Sequence, residues 1–173
     1  MSAEHGRLEP DGAYATLRFE RRLPHQIQHV WEAISTPEGL REWLICSQAL
    51  IEGRRGGRIE MVSGGAQYHS TGKILEWDPP RLLEYEWNVD PVPEMPEGQR
   101  AIWRFELSEA EGLTILRLIY RRITLPVAQG FLPGLHAFLD RLQAQLEGRA
   151  LPDWNQRFLT RIAEYPAWTP HER

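Results

Sequence analysis

Hydrophobic positions along the chain change period several times. From Ala13 to Leu23 ("AYATLRFERRL") they alternate, with Leu17 and Phe19 on one side, which predicts a strand. In "PHQIQHVWEAIS" the period becomes helical: Ile27, Val30, Trp31 and Ile34 form one stripe, and Pro24 suits a first helical turn. "TPEGLREWL" predicts a second short helix, with Thr36 as its N-cap and an end near Trp43 or Leu44. The middle of the chain then returns to strand signals. "ALIEG" is short and apolar, "RIEMV" alternates Ile59 and Met61 with charges, and "SGGAQ" reads as a hairpin turn. "YHSTGKILEW" runs into the breaker "DPPR". "LLEYEW" places Leu83, Tyr85 and Trp87 on one side, and "AIWRFEL" does the same for Trp103, Phe105 and Leu107. The Pro-rich, acidic loop between these two strands cannot continue a ladder. "LTILRLIYRRITL" is a long strand with Leu116, Leu118 and Tyr120 on one face and Arg117 and Arg121 on the other.

The last third is helical. In "GLHAFLDRLQAQLEG" (Gly134 to Gly148), Leu135, Leu139, Leu142 and Leu146 recur at helical spacing, and His136 falls in the same sector. Pro133 allows two placements. The helix starts near Leu132 with Pro133 in its first turn, or starts near Pro126 and carries Pro133 inside, at the cost of a hydrogen bond. Beyond it, Trp154, Phe158 and Ile162 recur every four residues, so Pro152 to Tyr165 predicts a short amphipathic helix. Its apolar face needs a cover, either its own domain or a second copy of the chain; a homodimer through these three residues is the second arrangement.

The order is strand, two helices, several strands with short turns, then a long helix. This favours an α+β fold with an antiparallel meander, one face of which the long helix covers. A curved sheet wrapped on a helix leaves a space, and such spaces take ligands. The division expected is a loose segment 1–12, one domain over 13–148, and an extension over 149–173.

Composition narrows the function. With 173 residues the chain can bury a core without disulfides or metals. A net charge of -4 argues against nucleic acid as a partner, since phosphate recognition needs clustered Lys and Arg. The one dense basic patch, "GRRGGR" at Gly53 to Arg58, reads as a solvated turn, and no phosphate-binding glycine motif is present. Cys46 is the single cysteine, which fits a reducing compartment, and no signal peptide or apolar membrane span is seen. A cytoplasmic location without a membrane partner is expected.

In the order of these segments the chain resembles the START-like, helix-grip superfamily. Within it the chain is most similar to the family named for the activator of the heat-shock chaperone ATPase, in its bacterial single-domain form. The residues carrying the resemblance are "VWEAISTPEGLREW" (Val30 to Trp43), "RRGGRIE" (Arg54 to Glu60), "GKILEWDPPRLLEYEW" (Gly72 to Trp87), "LTILRL" (Leu113 to Leu118) and "GLHAFLDRLQAQLEG". The resemblance implies a curved antiparallel sheet gripping a long C-terminal helix. Two positions depart from it. Leu135 stands where the family often has Trp, and Tyr120 where it often has His near the end of the last strand. Members share a fold and not a reaction, so the resemblance implies binding of something apolar more than any enzyme class.

The candidate ligand-binding residues are therefore Tyr85, Trp87, Trp103, Tyr120, Leu135, His136 and Leu139, around a small, largely apolar molecule, with no cofactor. The plain alternative is that these aromatic rings simply fill the core. His136 has three readings. It is a core imidazole satisfied by Tyr85, Tyr120 or a backbone carbonyl, a polar hook for a ligand, or a base oriented by a carboxylate such as Glu76. No metal site is expected: His25 and His29 share a helix face turned away from the apolar stripe, with only Glu32 beside them. Cys46, Ser63 and Ser108 lack the context of a nucleophile. Two rival functions stay open: a co-chaperone-like surface stimulating a chaperone ATPase, with the turn Arg54 to Arg58 as a contact, and a cyclase- or hydratase-type enzyme using His136 with Tyr120.

Overall fold

The computed structural model describes residues 4–165. Eight strands form one antiparallel sheet, in the order β1 (Arg7–Asp11), β2 (Tyr14–Leu23), β8 (Leu113–Thr124), β7 (Gln99–Ala110), β6 (Leu82–Val89), β5 (Tyr68–Asp78), β4 (Arg58–Ser63), β3 (Gln48–Ile51). Helices α1 (Ile27–Ser35) and α2 (Pro37–Trp43) interrupt the chain after β2, and α3 (Leu125–Leu146) and α4 (Trp154–Ile162) follow β8. This is the α+β, helix-grip arrangement: a meander whose inner face is covered by α3.

The inner face follows from the period-two pattern. Leu17, Phe19 and Leu23 of β2, Ile59 and Met61 of β4, and Leu83, Tyr85 and Trp87 of β6 are buried. So are Trp103, Phe105 and Leu107 of β7, and Leu116, Leu118 and Tyr120 of β8. The register shifts twice, between Ala15 and Leu17 in the β2–β8 pair and between Ile74 and Glu76 in the β5–β6 pair. A bulge of this kind re-aims the side chains beyond it. Trp77 packs edge-on against Trp31 of α1, with ring centroids 5.2 Å apart. Glu76 instead lies near Arg55, 3.7 Å away on the surface.

Three expectations change, and one that was left open is resolved. The segment expected to be loose contains β1, which pairs with β2 from Arg7 opposite Arg18 to Asp11 opposite Tyr14. Pro10 is tolerated there because β1 is an edge strand. Helix α1 starts at Ile27, not at Pro24. The His25 N–H donates to the Leu23 carbonyl at 2.8 Å and the His25 carbonyl accepts from Thr114 Oγ1 at 2.6 Å, which holds the chain in a turn off β2. Of the two placements for α3, the early one is realised: Pro126 lies in the first turn and Pro133 inside the helix, buried. The last helix is shorter than its pattern, beginning at Trp154 with Asp153 as N-cap accepting from Gln156 N–H at 3.0 Å.

Polar side chains of α3 fasten the α2 corner. Gln145 accepts from the Trp43 N–H at 3.0 Å and donates to the Gly39 carbonyl at 2.9 Å. Arg141 donates to the carbonyls of Glu42, Trp43 and Pro152. Thr36 caps α2 by accepting from Gly39 N–H at 3.0 Å, as its sequence position predicts. Gly39 is required for close approach: a Cβ there would stand 2.2 Å from the Glu32 carbonyl oxygen. Gly39→Ala is expected to destabilise the fold by about 1–3 kcal/mol through overpacking, read as a lower urea midpoint with an unchanged m-value.

Candidate functional site

The inner face of the sheet is broader than α3, and where coverage runs out a pocket of about 520 Å³ opens. Met61 and Ser63 of β4, Trp87 of β6 and Trp103 of β7 form its floor. The β4–β5 turn, Gly64 to Ala66, and Tyr68 form one wall. Phe131, Gly134, Leu135 and Phe138 of α3 form the other, and Trp154 and Phe158 of α4 form the rim. The volume lies in the range of small-molecule sites. The lining carries no charged side chain; its polar groups are few, among them Ser63, Tyr68 and Asn155.

The rim is built by stacking. Trp154 lies parallel to Phe158, with centroids 5.1 Å apart and planes at 12°, and against Phe138 at 5.2 Å. Its indole N–H donates to the Gly134 carbonyl at 3.3 Å. Trp154 and Phe158 are thus turned onto their own domain. Ile162 remains 45% exposed, beside Leu159 at 66%.

Three of the seven residues expected around a ligand, Trp87, Trp103 and Leu135, are on the pocket wall. Tyr85, Tyr120 and Leu139 lie behind it in the closed core. Tyr85 stacks on Trp103 and Phe105, and burial pushes its hydroxyl pKa far up. Tyr120 packs on Trp87, Trp103 and Phe131. Its hydroxyl is raised by burial, drawn partly back by the Trp103 indole, yet the two fall short of hydrogen-bond geometry. Both phenols stay protonated at any physiological pH. Cys46 is also inert: burial pushes its thiol up to about 11, and it donates to the Gln48 carbonyl.

His136 faces away from the pocket. It is fully buried, and its Nδ1 lies 2.7 Å from the Tyr165 hydroxyl, which also accepts from the Gly6 N–H at 2.8 Å. The partner is thus Tyr165, not Tyr85, Tyr120 or a backbone carbonyl, and His136 and Tyr120 keep separate company. One turn along α3, Asp140 Oδ1 stands 3.7 Å from His136 Nε2. The same carboxylate binds Arg161 at 2.9 Å and lies 3.7 Å from Arg157, both on α4. Arg21, on the inward row of β2, completes the cluster: it donates to Gln143 Oε1 at 3.1 Å and to the Glu4 carbonyl at 2.6 Å. Helix α4 therefore has two faces at work, one rimming the pocket and one tied to α3 by charge.

Sequence reasoning missed the α3 wall apart from Leu135, and this cluster apart from His136. The signals existed: Phe131, Gly134, Leu135 and Phe138 are spaced i, i+3, i+4, i+7, a second stripe on α3. Arg21 shares the parity of Leu17, Phe19 and Leu23. Asp140 is four residues from His136.

The class is a helix-grip domain with a hydrophobic pocket under its long helix. Residues 24–147 match the family described as "Activator of Hsp90 ATPase homolog 1-like protein", and the chain belongs to that family. Among solved structures it is similar to protein MLL2253 from Mesorhizobium loti (23% identity, TM-score 0.68, covering 79% of this chain and 99% of that one). It is also similar to CalU16 from Micromonospora echinospora (22% identity, TM-score 0.67, 92% and 91%). A conserved protein of unknown function, EF2215 from Enterococcus faecalis, is another (15% identity, TM-score 0.66, 92% and 89%). At these identities the likeness establishes the fold alone. No curated protein matches the sequence. No helix among the described residues is long and apolar enough to cross a membrane.

Burial first, then the charges of Arg21 and Arg161, lower the His136 pKa to about 3. A histidine near 6.5 when unfolded then takes up its proton on unfolding between these two values, so stability falls as pH drops through that window. In metal-free protein, replacing His136 with Gln is expected to flatten the loss of stability between pH 6 and 4, by up to about 1.4 kcal/mol per pH unit. Urea titrations of both proteins at several pH values measure it.

Proposed function

We propose that the protein binds a small, uncharged, largely apolar molecule, without chemical turnover, in the pocket between the sheet and helices α3 and α4. The observation carrying this reading is the pocket itself: about 520 Å³, walled by aromatic and aliphatic side chains, with no charged group. Filling an apolar pocket of this size gains dispersion contacts and removes apolar surface from water. The lining offers no paired acid and base and no activated nucleophile. The histidine that would serve an enzyme is engaged elsewhere, with Tyr165. Family membership supports the fold that makes the pocket, and Leu135, where the resemblance expected a Trp, leaves this wall open.

The test uses N-phenyl-1-naphthylamine, an uncharged dye whose emission rises in apolar surroundings. The native chain is expected to bind it at one site. Leu135→Trp, which extends a ring into the pocket, is expected to weaken binding at least about tenfold, or about 1.4 kcal/mol, with circular dichroism unchanged. Equal binding by the two proteins, or none by either, would sink the reading.

A further inference from the structure

We propose that His5, His136 and Glu164 form a binding site for a divalent transition-metal ion, on the flank of α3 away from the pocket. One ligating atom of each residue lies within 4.8 Å of those of the other two. His5 Nε2 and Glu164 Oε2 are already 3.4 Å apart, close to the edge of a tetrahedron with bonds of about 2.05 Å. The two imidazole rings stand edge to face, 5.1 Å between centroids. Two imidazoles and one carboxylate suit zinc and its neighbours in the first transition row.

A second observation points the same way. His136 Nε2, the atom that would meet the ion, is buried with no hydrogen-bond partner. Buried polar atoms without partners are rare, and an ion is one of the few things that explains them. Asp140 Oδ1, at 3.7 Å, is too far to accept from His136 Nε2. The other ring nitrogen is held as a ligand histidine's would be. With Nδ1–H donating to the Tyr165 oxygen, the lone pair of Nε2 is left free for a metal, and the Tyr165 contact fixes the ring. Burial also keeps this imidazole unprotonated at neutral pH.

The surrounding charges set the strength of the site. Arg161 bonds both Asp140 and Glu164, and Arg21 and Arg157 add to the positive side. A cation enters only by drawing Glu164 from Arg161, which keeps Asp140. The affinity is therefore lower than that of a dedicated structural zinc site. Bound there, the ion ties the segment before β1 and the residues after α4 to the middle of α3.

Isothermal titration of tag-free, chelator-treated protein with zinc chloride tests this. One zinc per chain is expected, with a rise in Tm. His5→Ala and Glu164→Gln, at residues outside the core, are expected to weaken binding at least tenfold while preserving the circular dichroism spectrum. A His25→Ala/His29→Ala double variant is expected to bind as the native chain does, which separates the surface histidine pair from the proposed site. Histidine-ring 15N spectra should show the His136 nitrogens moving on zinc addition. No binding up to about 100 µM zinc, or binding kept in His5→Ala and Glu164→Gln, overturns the proposal.

Discussion

One helix has to close a sheet that is too wide for it. Eight strands at about 4.8 Å spacing would span roughly 34 Å if laid flat, whereas a helix with its side chains is only about 10 Å across. Curling the sheet reduces the mismatch and does not remove it. The remaining strips of the inner face need other covers. On one side α1 and α2 supply Trp31, Leu40 and Trp43. On the other, α4 supplies Trp154 and Phe158, and between this rim and the strands the cover is incomplete. The pocket is what is left of an area problem, lined by rings because rings reach farthest from a backbone that cannot come closer.

The same constraint explains why α3 carries so many polar residues that do not face water. A helix wedged between three covers must hold each of them laterally. It does so with Gln145 and Arg141 toward α2, Gln143 toward Arg21, and Asp140 and His136 toward α4 and Tyr165. A purely apolar helix would fill the same volume without fixing where its neighbours sit, since hydrophobic contact is not directional. Hydrogen bonds to buried or half-buried backbone groups supply the direction.

Most of the fold was legible because period two and period 3.6 are strong signals over long elements. The inward rows of β6, β7 and β8 could be read directly from Tyr85, Trp103 and Tyr120, and the capping of α2 from Thr36. The first strand was not legible. "RLEPD" is an edge strand with no buried row to impose alternation, and all its residues are exposed or half-buried. The candidate pocket residues share the buried face of the sheet, but only Trp87, Trp103 and Leu135 among them border the open pocket. Which of Trp87, Trp103, Tyr85 and Tyr120 meet open space depends on where α3 crosses the sheet, which no local pattern encodes. His136 was identified as an inward group, but its partner lies 29 residues away, on a segment whose path the sequence leaves open.

The meeting of Gly6 with Tyr165 joins positions separated by 159 residues. Contacts of such separation are the most costly to close in entropy. During synthesis the strands and α3 emerge with their neighbours already made, so a nascent chain has the floor of its pocket long before it has a rim. Until residue 165 has left the ribosome, Asp140 and His136 lie on a half-built domain without Arg161 and Tyr165, and the aromatic trough beneath α3 is open to whatever apolar surface is nearby. The buried charges that make the finished flank well defined are therefore a transient liability of the unfinished one.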